Sequence, residues 1–427
     1  MKKCLYYSVL ISIIAFLAYP ANAKVRKVSI EEVQKIETIT LDETINYDGP
    51  PAIPYSGNDI LDSPGIIVGT TNYDQQTNGS TGNRIAIHDC GKHICWMNGI
   101  DEWRNQFIYY NFVDPDGNLE WEGGVPVSDI EGGGYTQLDV GSEGIALVAY
   151  HNSSNLDVTL GIDTLCGFGS FTLHDVADSI PGYYHSYWPY LTNDANDRIH
   201  VVCTENTPDA GSPQVLGHTI STDDGETWSA LAIVDTIIDL SAIITASRID
   251  DKVAIVYTKP IDLEEPNQYN NDAVYIESED GITWDYENII HITHYQQEDP
   301  IRAYTEVDAV YDNNGNLHIV WNTPGYNAFE GTITYDACYL WHWSEATGIS
   351  MIHDAWHPSF PGSWCRSACK ISIAVDENNN LFTLWSHFDT LDISSSGYSN
   401  AELYISTSTD SGEDWAPFIN LTDTFSD

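Results

Sequence analysis

The feature that most constrains this chain is a repeat. Six segments share one order: an alternating strand, a tight polar turn, and a second strand ending in an aromatic or small residue. They begin at Arg84, Thr136, Tyr190, Ile244, Glu306 and Ile371, with turns near Gly91, Glu143, Asn196, Asp251, Gly315 and Asn379. The turns are spaced by roughly 52 to 65 residues, and the loops lengthen toward the C-terminus. A period of this size means that one supersecondary unit is stacked many times, because each unit buries its apolar face only against its neighbours. A variable loop and a second strand pair follow each hairpin. The pattern therefore predicts an all-β fold, a six-bladed β-propeller of four-stranded antiparallel blades. A stack of β-sandwiches would need turns about every 8–12 residues but no such period.

Three of the second strand pairs carry a sharper signature, Ser/Thr-x-Asp-x-Gly-x-x-Trp. It reads STDDGETW at 221–228, ESEDGITW at 277–284 (degenerate at its first positions) and STDSGEDW at 408–415, with a worn copy, DPDGNLEW, at 114–121. Ser/Thr and Asp side chains bond turn amides, Gly takes positive φ, and Trp folds back onto the sheet. These motifs resemble the Asp-boxes, or BNR repeats, of the sialidase superfamily, whose members are six-bladed β-propellers. The resemblance covers about residues 64–423. It implies that the Asp-boxes mark the fold and lie away from the central cleft. The site is then sought on the opposite face, where first strands start and where loops follow second strands: 98–105, 152–157, 205–214, 258–272, 322–336 and 387–399. These loops supply Trp103, Tyr269, Tyr326, Phe329, Tyr398, Asp101, Glu205, Glu264 and Glu330. Aromatic faces beside hydrogen-bonding acids suit sugar rings.

The same resemblance implies roles. Sialidases clamp the substrate carboxylate with three arginines, attack with a tyrosine polarised by a glutamate, and use an aspartate as acid/base; guanidinium groups suit a carboxylate because they bind it bidentately. Arg84, in Asn83-Arg84-Ile85-Ala86, keeps the Arg and Ile of the family's opening signature and lacks its aromatic and Pro. Asp101 falls in the next loop, where the family's acid/base lies. Arg302 and Arg366 precede the first strands of units five and six, and Glu306 opens a first strand as the family's glutamate does. Tyr398, in Gly397-Tyr398-Ser399, matches the nucleophile's local sequence, although it lies in a middle loop. The implied set is thus Asp101, Glu306 and Tyr398 for catalysis, with Arg84, Arg302, Arg366 and Trp103 for substrate. Arg198 and Arg248, at or beside the far turns, are expected to be solvated. The implied function is binding or hydrolysis of extracellular glycans, in the manner of an exo-sialidase. The rival is a non-catalytic adhesion or structural propeller of a larger cell-surface protein.

Charge narrows the partners. With 63 acidic residues against 16 Lys plus Arg, the net charge is -47. Nucleic acid and anionic membranes are excluded, since both need clustered cations. Mutual repulsion predicts a monomer, and the negative field weighs against anionic sugars, so neutral glycans or no catalysis stay open. Met1-Lys2-Lys3, an apolar run from Leu5 to Ala18 and Ala21-Asn22-Ala23 form a signal-peptide pattern over 1–23. A secreted or cell-surface protein without membrane insertion is expected, acting on an extracellular glycan or glycoprotein. Residues 24–63 read as a leader, and GIIVGTTNY from Gly65 as a strand closing the ring against the last blade.

Of the seven cysteines after the signal, Cys90 and Cys95 flank a turn and Cys365 and Cys369 stand four apart, so both are candidate local pairs, and disulfides or buried thiols are expected over zinc. His291-x-x-His294 precedes Glu298 and Asp299, but on a strand the two imidazoles would face opposite ways. The turns at 312–316 and 376–380 lack the calcium-loop pattern. No cofactor or metal is expected, and calcium has no motif to support it.

Overall fold

The computed structural model describes residues 27–28 and 65–422, apart from residues 74, 78, 100–105, 129–130, 154–156, 178–179, 181, 183–184, 206–213, 239–240, 265, 358, 362–364 and 395–396. Six antiparallel sheets follow one another along the chain as the blades of a propeller. Their innermost strands are Ile85–His88, Gly133–Val140, Ser186–Asn193, Ala242–Ala246, Val307–Tyr311 and Ala368–Val375. Each pairs with the next strand through the turn read from the sequence, as in His88↔Gly91, Asn193↔Ile199 and Tyr311↔Leu317. Side chains stabilise several of these turns. Asp194, Asp312 and Asp376 each accept amide hydrogen bonds from residues two and four positions on.

The inner strands of blades two and three are buried at every position, because a blade inside the stack has neighbours on both faces. One apolar cluster runs from Tyr190 and Leu216 of blade three through Ile255 of blade four to Trp321 of blade five. At about 1.5–3 kcal/mol for each fully buried large apolar side chain, this stacking is the main stabilising term. Buried carboxylates also join blades. Asp139 of blade two accepts from Thr192 Oγ1 and Asn193 N of blade three. Asp308 of blade five accepts from Ser372 Oγ and Ile373 N of blade six. Arg248 donates to Asp139 and to the Asn193 carbonyl.

The Ser-x-Asp-x-Gly turns join third and outer strands. Ser221 Oγ accepts from Gly225 N while Asp223 accepts from Thr227 N, and Ser408, Gly412, Asp410 and Asp414 repeat the arrangement.

Three expectations are corrected. The stretch from Gly65 forms no strand against the last blade; it packs on blade one, where Asn111 donates to the Val68 carbonyl and Trp96 to that of Thr70. Arg198 is buried, its Nε donating to Asp194 at 2.5 Å, because the Asp at the turn draws it inward. Cys90 bonds to Cys166 of blade two, whereas Cys95 points into the core beside Thr136. Cys365 and Cys369 are thiols.

Candidate functional site at the propeller axis

The segment before blade one crosses the axis. Ser80 accepts at its carbonyl from Tyr190 Oη of blade three and at its hydroxyl from Val307 N of blade five, and the Asn83 carbonyl accepts from Leu138 N of blade two. This plug delivers Arg84 to the end of the axis where the inner strands begin. There Ser80, Arg84, Tyr135, Gln137, Trp188, Pro189 and Tyr190 line a narrow depression, partly open to solvent and without room for a water-sized sphere. Ligand pockets usually span roughly 300–1,000 Å³, so seating even one sugar unit requires the side chains here to move apart.

Three inner strands arrive here strained in the same way. Blades two, three and six carry bulges between Gly134 and Gln137, Tyr187 and Tyr190, and Cys369 and Ser372. Each contains one non-glycine residue at positive φ: Tyr135 (47°), Trp188 (44°) and Lys370 (59°). Such conformers cost about 1–3 kcal/mol each and gather where a side chain is aimed for function.

Arg84 is the cation of this depression. Its terminal nitrogens donate to the Thr81 and Gln76 carbonyls, at 2.9 and 2.5 Å, while Nε is out of solvent and has no hydrogen-bond partner. Burial lowers its pKa, partly offset by Cys95, Tyr190 and Tyr135; no described carboxylate pairs with it. Trp188 Nε1 is a second buried donor without a partner. Burial pushes the Tyr135 phenol far up, which keeps it protonated. Behind Tyr135, His151 stacks on Tyr187 at 4.2 Å; burial drops its pKa to about 3, so the imidazole is neutral.

Glu306 and Lys370 stand beyond Tyr190, whose phenol feels Arg84, Lys370, Asp308 and Glu306. Glu306 accepts from Asn322 Nδ2 and Lys370 N and pairs with Lys370 Nζ at 3.1 Å. Burial opposes the Lys370 charge, but the Glu306 carboxylate raises its pKa overall. Arg302 caps its own loop: it donates to Asn270 Oδ1 and to the Gln296, Asp299 and Ile301 carbonyls, with Tyr326 over its face at 4.6 Å. Arg366 is buried against the Tyr304 ring at 4.2 Å and donates to the Cys365 carbonyl. The three arginines thus have separate partners, and Arg84 alone lines the depression. Tyr398 is 56 % exposed in a turn closed by Ser394. Asp101 and Trp103 lie outside the described residues. Tyr135, Trp188 and His151 were missed by sequence reasoning; their one trace is that the alternating pattern starts at Thr136 and Tyr190, just after each bulge.

Among the described residues, two clusters have the composition of metal sites. Asp272, His291 and His294 hold ligand atoms within 4.8 Å of one another, and the imidazoles stack at 5.5 Å. The expectation of opposite-facing histidines is corrected here, since the outer strand ends at His291 and the chain bends before His294. The other cluster, at His88, Cys90 and Cys166, lies at the far end of the blades.

No family model and no curated protein matches this sequence. Among solved structures, the chain is similar to the polysaccharide lyase Uly1, at TM-score 0.44 and 10% identity over 87% of this chain and 94% of that one. It is also similar to an α-L-arabinofuranosidase of Fusarium graminearum, at TM-score 0.48 and 13% identity over 84% and 97%. A Hadza microbial sialidase matches at TM-score 0.34 and 12% identity over 64% and 54%. At these levels the likeness carries no chemistry.

Proposed function

We propose that the protein is an exported propeller that binds and processes glycans bearing a carboxylate. The observation that carries this reading is Arg84: a half-buried guanidinium with Nε out of solvent and no carboxylate partner among the described residues, in a chain of 63 acidic residues. An uncompensated buried charge is costly, and the carboxylate of an acidic sugar would supply the missing partner bidentately. Trp188 offers a second donor and an apolar face for the ring.

The groups beside the depression fit β-elimination on a uronate better than hydrolysis. Most glycoside hydrolysis calls on two carboxyl groups flanking the bond, and a tyrosine nucleophile still needs an acid/base carboxyl; none lines the described depression. Elimination calls on a cation to neutralise the sugar carboxylate, a base to take the neighbouring carbon-bound proton, and an acid to protonate the departing oxygen. Arg84 suits the first role and the protonated Tyr135 or Tyr190 phenol the third, while the base is not among the described residues that line the depression. A carbon–hydrogen bond and a carbon–oxygen bond break, a carbon–carbon double bond forms, and no water is consumed.

Incubating the purified mature chain with uronate polysaccharides, sialosides and neutral arabinans, each followed by mass spectrometry, tests this. An unsaturated product from uronate substrates, absent with Arg84→Gln, is expected. Equal turnover or binding of neutral glycans, or activity that survives Arg84→Gln, would overturn it.

A further inference from the structure

Three turns meet at the end of blades one and two remote from the axial depression. His88 closes the inner strand of blade one, Cys90 lies in its turn, His93 enters the second strand, and Cys166 sits in the turn between third and outer strands of blade two. Cys90 and Cys166 form a disulfide. A disulfide needs no imidazoles, yet two flank it. His88 Nδ1 is 3.1 Å from Cys90 Sγ. His93 Nε2 is 3.9 Å from Cys90 Sγ and 3.8 Å from Cys166 Sγ.

Both rings are oriented as metal ligands are. His88 Nε2 lies 3.2 Å from the Ser142 carbonyl, which can only accept, so Nε2 carries the proton and Nδ1 keeps its lone pair. The Cys90 amide already donates to that Nδ1 at 3.2 Å. His93 is fully buried and its Nδ1 is held by Tyr110 Oη at 2.6 Å, which leaves Nε2 to face the sulfurs. The third turn leaves room for this grouping. A Cβ on Gly144 would stand 2.5 Å from Cys90 Sγ and 2.6 Å from His88 Nδ1.

We propose that His88, Cys90, His93 and Cys166 form a zinc site that is closed by reduction and opened by oxidation. A dithiol reductant supplies two electrons and two protons to the Cys90–Cys166 bond and leaves as its own disulfide. Zinc then displaces the two thiol protons and takes both thiolates, His88 Nδ1 and His93 Nε2 as a Cys2His2 tetrahedron. Zinc–sulfur bonds of about 2.3 Å and zinc–nitrogen bonds of about 2.0–2.1 Å are reached by small movements of turns. A fully occupied tetrahedron leaves no open position, so the site is structural and ties blade one to blade two in either redox state.

The test uses the full mature chain with its disulfide intact, then after a phosphine reductant. Each form receives zinc or Co2+, is desalted, and is measured for bound metal and for alkylation of Cys90 and Cys166 by peptide mapping. One metal per chain is expected only after reduction, with both cysteines protected and with the thiolate charge-transfer and tetrahedral bands of Co2+. His88→Gln and His93→Gln keep the disulfide, so their folding is verified before reduction; each should weaken metal binding at least tenfold. His294→Gln should leave it unchanged. A reduced chain that takes no metal, a cobalt spectrum without thiolate, or binding that survives both His88→Gln and His93→Gln would overturn the site.

Discussion

Arg84 and its neighbours set stability against binding at the scale of single residues. A half-buried guanidinium without a counter-charge among the described residues destabilises the free protein, and the strained Tyr135 and Trp188 add to that cost. Arg84→Met keeps the apolar stem and removes the charge. It is expected to raise stability in urea by on the order of 1 kcal/mol, as replacing ill-compensated buried charges does, while binding of acidic oligosaccharide falls at least a hundredfold. A variant that loses stability as well as binding would show that Arg84 is a structural residue. Arg84 was legible in the sequence because Asn83-Arg84-Ile85 opens a blade. Tyr135 and Trp188 were not, because nothing in an aromatic side chain announces positive φ; only the surrounding sheet imposes it.

Turns and seams carry the next scale. In the last blade Ser408 Oγ holds Gly412 N, and Gly412 stands at φ 87° with the His342 ring of blade five where a Cβ would be, 2.1 Å from Cε1. Ser408→Ala loses hydrogen bonds and should cost about 1 kcal/mol. Gly412→Ala adds both strain and a clash, and should cost about 2–4 kcal/mol by guanidinium denaturation; equal costs would mean that the turn yields freely. The seam residue Asp308 makes a pH prediction. Burial raises its pKa to about 6 despite hydrogen bonds from Ile373, Ser372 and Ala309. Because the folded value exceeds the unfolded one, the unfolded chain releases this proton first, so the group's contribution to stability falls as pH rises from about 4 to about 6. Two units correspond to on the order of 3 kcal/mol. Asp308→Asn should flatten that part of the stability profile, and an unchanged slope would refute the assignment. The hairpins were readable from Asp, Asn and Gly at turn positions, since that chemistry is local. The Cys90–Cys166 bond, the buried Arg198 and the facing His291 and His294 were not. Each depends on which blade or bend lies opposite, and no residue spacing records that.

For the molecule as a whole, the charge of -47 and the Arg84 cation in the axial depression act in opposite directions on the same ligand. An acidic oligosaccharide approaches through a repulsive field many residues deep, then meets Arg84 at contact range, where solvent and salt are excluded. Added salt screens exposed charges far more than buried ones: the Debye length falls from about 30 Å at 0.01 M to about 8 Å at 0.15 M. The repulsion during approach should therefore fade over that range while the final contact changes little. The association rate of an acidic oligosaccharide is expected to rise several-fold between those salt concentrations, with a dissociation rate nearly constant, which is the reverse of a basic protein binding an anion. Self-repulsion among surface carboxylates weakens over the same interval, so the thermal midpoint should climb in parallel. A neutral oligosaccharide of equal length serves as the control and should associate at a salt-independent rate. An association rate that falls with salt for the acidic ligand would mean that a cationic surface larger than Arg84 guides entry, and the assignment of the axial depression as the acidic-sugar site would then fail.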